Sequence, residues 1–536
     1  AVPGVVAIAN GHFSRQHRAD TTVVGVDQLW VDVGASSRAE VEKLGIALLD
    51  PVIPDRAPWT WGSFASGPGA ATRAGCAAVA TASQGTVTSG ETIFIISAQH
   101  VFGWNGLTGA LRRIGPVNEL AIVDVTARTT VPQAKVIVPK SRYTGSLVES
   151  MSGTDARTLL QSVAQAAGVT LAADASWLAP ALTPPAGRVP RSDAYEATEK
   201  LVTTLLDLPG VPGHEWRVRN AIRASLPKWA ADRAVVDSAG NLIVAVGPDK
   251  DSVAFVAHTD EVSFEVDSIL PDGHVTLTRK GGVIPSAWEG QPAMLVFDPD
   301  ASGNTNEALR GVFVPRETAR SKAPPRLLAW FGLDAAGLTA RGVKTGAAVL
   351  GLKRAARLAG TRVTGRSSDD RTGSTALVLA ARKIDPTTLN HKVILVWTTG
   401  EEGGLLGARA FAARSGAGLR RVYAIDTFVS SDTPLEQPTF AYAPLGKGAV
   451  LRGLDDGSIA PRAERDRVMR IAKANNIPLQ VGTTHGSTDG SAVGAYGAPN
   501  LGISWPGRYS HTPGEVLDLR DVDALTRLIA ALAVAP

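Results

Sequence analysis

The side chains with which this sequence could do chemistry sit in five polar clusters, each just beyond an apolar run. In Ala257-His258-Thr259-Asp260-Glu261, one ring nitrogen of His258 can face a cation while Asp260 takes the other N–H and fixes the tautomer. Ser368-Asp369-Asp370-Arg371 sets two carboxylates side by side, costly to desolvate together unless cations neutralise them. In Thr399-Gly400-Glu401-Glu402-Gly403-Gly404 one glutamate can ligate a metal while its neighbour stays free to move protons. Asp426 closes the run ending Ala424-Ile425, and His511 lies within Arg508-Tyr509-Ser510-His511-Thr512-Pro513. Singly, each has an everyday reading as a surface turn, a helix cap or a solvated loop. Together, His258, Asp369, Glu402, Asp426 and His511 have the count and hardness expected for two divalent cations sharing a bridging carboxylate.

Elements that end where these clusters begin can be read from the pattern. Asp193–Leu226 has helical spacing with a break at Pro209–Pro212, and strand-like runs follow at Asn241–Val246 and Ser252–Ala257. From about Ser268 to Leu352 short alternating segments and turn residues such as Pro271-Asp272-Gly273 predict a small β-rich insertion. A helix at Thr375–Lys383, a strand at Val393–Thr398, a helix after Gly404, a strand at Arg421–Ile425 and a helix at Arg462–Asn475 then restore the α/β rhythm. Alternation of this length favours a sheet covered by helices on both faces, and ligands bind at the carboxyl ends of strands in such sheets.

The first 180 residues echo the downstream half. Trp30-Val31-Asp32-Val33-Gly34 runs beside Trp330-Phe331-Gly332-Leu333-Asp334, Ala71-Thr72-Arg73-Ala74-Gly75 beside Asp369-Asp370-Arg371-Thr372-Gly373, and Gly106-Leu107-Thr108-Gly109-Ala110 beside Gly404-Leu405-Leu406-Gly407-Ala408. The helix expected over Thr154–Ala167 is matched to Arg462–Asn475. The predicted organisation is a partial copy of the insertion at 1–50, a degenerate catalytic-like half domain at 51–180, a Pro/Gly/Arg-rich linker at 181–192, a first catalytic segment at 193–267, the insertion at 268–355 and a second catalytic segment at 356–536. Ala71 and Thr72 stand where the paired aspartates belong, and Gln99-His100 is nearest the glutamate pair. Asp124 remains, but no second ligand cluster assembles around it.

The clusters, with the ending Arg508-Tyr509-Ser510-His511-Thr512-Pro513-Gly514-Glu515-Val516-Leu517-Asp518-Leu519-Arg520-Asp521, resemble the glutamyl and tetrahedral aminopeptidases of the di-zinc exopeptidase clan, also called endoglucanase-M-like, over about 340 residues. The resemblance implies a zinc-exopeptidase-like α/β fold, a mixed sheet flanked by helices with an inserted domain that commonly mediates assembly. It implies two metal ions bridged by Asp369, His258 and Asp426 serving one, Glu402 and His511 the other. Zinc is the expected metal, and cobalt or manganese would accept the same ligands. It further implies Glu401 as general base and room for a cis peptide at Asp369–Asp370; the expected mechanism uses a metal-bridging water as nucleophile, with Asp260, the partner of His258, counted beside Glu401 as catalytic. The chain departs from the family at Thr484-His485-Gly486-Ser487-Thr488-Asp489, where His485 could alter the specificity pocket, and in its N-terminal copy.

Bulk composition narrows the partners. Hydrophobic residues make up 44% and charged residues 19%, values of folded globular protein. A net charge of +4 spread without a basic stripe predicts no nucleic-acid partner, and the lack of a long apolar run predicts no membrane span. The single Cys76 suits a reducing cytosol or a periplasmic or secreted setting, so the compartment stays open. The expected activity is removal of N-terminal residues from peptide substrates by a possible homo-oligomer. Another hydrolase of the clan (carboxypeptidase, dipeptidase or deacylase) and a non-catalytic peptide-binding scaffold are the competing readings.

Overall fold

Strand Ser252–His258 (Ser-Val-Ala-Phe-Val-Ala-His) sets the architecture, because both of its faces are apolar. Val253, Phe255 and Ala257 pack with helix residues Leu205, Ala376, Leu377 and Leu528, while Ala254 and Val256 pack with Phe411, Ala412 and Val493. A strand buried on both faces needs helices above and below it, and each fully buried Val, Leu or Phe contributes about 1.5–3 kcal/mol.

The structure is a computed structural model describing residues 1–8, 26–54, 59–98, 100, 103–125, 134–171, 193–283, 285–300, 303, 305–316, 326–434 and 436–535. The linker expected at 181–192 and Gln99 lie outside these residues. The central sheet has eight strands in the order Val235–Val236, Leu242–Val246, Val393–Thr398, Ser252–His258, Leu419–Val429, Asn500–Gly507, Ala449–Leu454, Leu479–Thr483. It is mixed. Ser252–His258 runs parallel to both its neighbours, whereas Leu242–Val246 is antiparallel to Val393–Thr398. The central parallel strands share one direction, so His258, Thr398 and Asp426 come to the same edge. Helices Glu196–Asp207, Ser368–Lys383 and Leu519–Val534 cover one face, and Leu406–Ser415 with Asp489–Gly494 the other.

The expected β-rich insertion is a closed six-stranded barrel, running from Ser263–Ile269 to Ala348–Gly351 and filled by Phe264, Trp288, Phe313 and Leu295. A small sheet of Ala356–Arg357, Arg362–Gly365 and Glu515–Asp518 links it to the chain end.

The N-terminal region repeats this last arrangement in miniature. Phe64–Ser66 pairs antiparallel with Ser150–Ser152, ahead of helices Ala70–Ala82 and Gly153–Ala166, as Arg362–Gly365 pairs with Glu515–Asp518 ahead of Ser368–Lys383 and Leu519–Val534. An isolated bridge joins Arg142 to Ser150, and another joins Arg508 to Val516. The helix Gly153–Ala166 therefore matches the final helix and not Arg462–Ala474 as the sequence pairing had it. Register shifts in the glycine pairing too: the left-handed residues before the helices are Trp104 and Leu405, which sets Gly106 beside Gly407. Both mismatches arise because small-residue helical patterns repeat every turn and match at several offsets, whereas strand pairing is unique.

Candidate metal centre

Most candidate ligands are delivered by an element terminus or the turn beside one, and Asp426 from within a strand. His258 ends its strand; Asp369 and Asp370 open helix Ser368–Lys383, where a cis peptide joins them as the resemblance allowed. Glu401 and Glu402 follow strand Val393–Thr398, Asp426 lies within Leu419–Val429, and His511 occupies the turn between Asn500–Gly507 and Glu515–Asp518.

These residues, far apart in sequence, converge. His258, Asp369 and Asp426 form one trio and Asp369, Glu402 and His511 a second, the ligand atoms of each lying within 4.8 Å of one another. His258 Nε2 is 3.3 Å from Asp369 Oδ1, and His511 Nε2 is 3.7 Å from Asp369 Oδ2 and 3.2 Å from Glu402 Oε1. The two oxygens of Asp369 thus address different trios.

Around them lies a dense set of acids. Burial pushes Asp426 up to about 8, with Asp369 adding to the rise and Arg452 opposing it. Burial likewise raises Glu515 to about 8, helped by Asp369. Glu401 and Asp370 rise well above the ordinary carboxyl range, chiefly by burial, against the pull of His258. Asp369 moves the other way: burial would raise it, but hydrogen bonding and charge from His258, and the charge of His511, hold it low. Oδ1 of Asp369 is buried, and its contact with His258 Nε2 at 3.3 Å is not aligned as a full hydrogen bond. Mixed imidazole and carboxylate donors, a buried carboxylate oxygen lacking a well-aligned hydrogen bond and uncompensated acids together fit divalent cations.

Asp260 sits beside His258, but Oδ1 is 3.6 Å from Nδ1, beyond hydrogen-bond length. Its two oxygens instead accept the backbone N–H of Glu401 at 3.0 Å and of Glu402 at 2.9 Å. His485 is paired with Asp456 at 3.1 Å and lies against the Phe440 ring. Three supporting acids had no assigned role in the sequence. Glu515 accepts from the N–H of Asp369 and of His511, and its place in the C-terminal motif was the available signal. Asp489, raised to about 6 by burial, accepts from Thr398 Oγ1, and it stood within the Thr484–Asp489 stretch. Glu215 accepts the N–H of Gly400 at 2.9 Å from a loop that carries no motif.

The family model described as M42 glutamyl aminopeptidase matches residues 1–168 and 240–528. A lysyl aminopeptidase of Pyrococcus furiosus is 26% identical over 351 residues, covering 62% of this chain and 96% of that protein. Among solved structures, the TET1 peptidase of Pyrococcus horikoshii, which can assemble into a tetrahedron or a large octahedral shell, is 30% identical with a TM-score of 0.57, covering 63% of this chain and 100% of that one. An aminopeptidase from the archaeon Desulfurococcus kamchatkensis is 25% identical with a TM-score of 0.58, covering 64% and 96%. The chain belongs to the M42 glutamyl aminopeptidase family and is a metal-dependent aminopeptidase.

Proposed function

We propose that the enzyme releases N-terminal residues from peptides with two divalent cations, one held by His258 and Asp426, the other by Glu402 and His511, and both by Asp369. The observation carrying this reading is the division of labour within one carboxylate, Oδ1 of Asp369 turned to His258 and Oδ2 to His511. When bound, such a pair acidifies a water toward neutrality and polarises the scissile carbonyl. Zinc is the proposed metal, with cobalt and manganese accepting the same donors.

Glu401 is proposed as the general base. It takes the proton of the attacking water on a carboxylate oxygen and returns a proton to the departing amine. Asp260 aims it, because one carboxylate grips the consecutive amides of Glu401 and Glu402 and so orients base and ligand together. Glu215, holding the amide of Gly400, stiffens the same loop from behind.

Residues 1–180 are proposed to be a degenerate copy with no ligand set of its own, in line with the shared strand–helix order and bridges described above. Homo-oligomer formation is proposed from the likeness to the TET1 peptidase. Glu401→Gln tests the mechanism: kcat on aminoacyl anilides is expected to fall by roughly 10²–10⁴ while metal content per chain stays unchanged. A near-native rate contradicts the assignment of Glu401. Cleavage of N-blocked peptides in preference to free ones contradicts the aminopeptidase orientation of the site.

A further inference from the structure

The turn that carries His511 is conformationally expensive. Tyr509 (φ 60°) and His511 (φ 65°) both occupy the left-handed region without being glycine. Such residues are strained and persist only where their surroundings over-determine them. From the catalytic side, Ser510 Oγ donates to Asp369 Oδ2 at 3.0 Å and the His511 N–H donates to Glu515 at 2.8 Å. Also from that side, Arg508 donates to Asp432 Oδ2 at 2.6 Å and Thr512 Oγ1 to Tyr509 O at 2.7 Å; a further group of restraints comes from the other end of the chain.

The Tyr509 hydroxyl donates to Asp32 Oδ2 at 2.9 Å, Arg508 donates to the same oxygen at 2.7 Å, and the Trp30 indole N–H donates to the Tyr509 hydroxyl at 3.0 Å. Asp32 is itself aimed by the Gly34 N–H at 2.9 Å. The strand segment is seated against the catalytic part by the Ala359 N–H on Val33 O and by Arg362 on Ala35 O and Ser36 Oγ. Gly34 adopts φ +82°, and a Cβ there would lie 2.8 Å from Ala359 N, so the approach is as close as backbone permits.

A reciprocal contact occurs on the opposite side. Trp330 of the barrel meets Tyr143 with ring centroids 6.0 Å apart, against 6.1 Å for Trp30 and Tyr509, and Arg142 lies over the Trp330 ring. Tyr143 also has positive φ, but the residue two further on is Gly145, where the catalytic turn has His511. Each half therefore grips the other's Arg-Tyr turn with a tryptophan, as in an isologous interface, and the turn bearing a candidate ligand receives the additional carboxylate.

We propose that Asp32, assisted by Trp30, is a positioning residue for His511, so that the N-terminal module completes in cis the metal site of the catalytic part. This rests on the reading of Asp369, Glu402 and His511 as a metal position. The test uses the full-length chain, measuring zinc per chain against a chelator series for wild type, Asp32→Ala, Asp32→Asn and Tyr143→Ala. One of two zinc ions is expected to be held about tenfold more weakly in Asp32→Ala. Asp32→Asn, which keeps an acceptor for the Tyr509 hydroxyl, is expected to fall between it and wild type and serves alone if Asp32→Ala does not fold. Tyr143→Ala, which cuts the reciprocal contact, is expected to retain both ions as wild type does. Equal zinc affinity in wild type and both Asp32 variants overturns the positioning role, as does equal weakening in Asp32→Ala and Tyr143→Ala, which would mean general loosening of the module. A wild type that binds no zinc, cobalt or manganese overturns the reading of the site itself.

Discussion

Asp369 is where the demands on this site are most concentrated, for it lies between two histidines while neighbouring carboxyls are driven toward protonation. That imbalance has a pH signature in the metal-free protein. Burial, reinforced by the charge of Asp369, lifts Asp426 and Glu515 to about 8. A carboxyl with a folded pKa above its unfolded value near 4 binds its proton more tightly when folded. Its contribution is full below about pH 4 and is lost as pH rises through the raised value. His511 acts in the same sense: burial pulls it down, but Glu402 and Asp369 lift it to about 9, and that stabilisation fades above its unfolded pKa near 6.5. Chelator-treated protein is therefore expected to melt at a lower temperature near pH 8 than near pH 5, and added metal to restore more stability at the higher pH. Superimposable chelated melting curves at both values would contradict this electrostatic picture. The candidate ligands could be picked out as residue types because each lies at or soon after an apolar run. The amide-gripping role of Asp260 was not, since it depends on where two backbone N–H groups point.

At the scale of elements, helix Ser368–Lys383 must start tight against the sheet for Asp369 to reach both trios. Gly373 permits this. A Cβ there would lie 2.4 Å from both Asp370 carboxylate oxygens and 2.5 Å from Ile425 Cγ2. Gly373→Ala is expected to cost about 1–3 kcal/mol in denaturant unfolding, as overpacking does. Gly418→Ala, whose Cβ would meet nothing within 4 Å, is expected to change stability little. Equal stability of the two variants would show that the helix start has slack. The strand Val393–Thr398 and the helices after Gly404 and from Arg462 were readable from runs of apolar residues and their period. Barrel closure was not, because it pairs Glu265 with Ala348, and no local pattern encodes that register.

For the molecule as a whole, a β-rich stretch interrupting the α/β rhythm was foreseeable from changes in patterning, and the resemblance of the first 180 residues to the downstream half was visible in isolated matches such as Trp30 with Trp330 and Gly75 with Gly373. How that region docks was not visible: the Trp30–Tyr509 bond spans 479 positions and exists only once both modules are folded. Trp61 and Phe64 against Trp330 show the same dependence, forming an aromatic cluster between modules with no periodic signal. The claim on which the enzyme's chemistry rests is that distant side chains build a pair of cation positions around one aspartate. Anomalous diffraction at the zinc edge from crystals of the zinc-loaded full-length protein tests it most directly. Two peaks are expected, flanking the Asp369 carboxylate, one within coordination distance of His258 and Asp426 and the other of Glu402 and His511. A single peak, or peaks away from Asp369, would contradict a two-metal site.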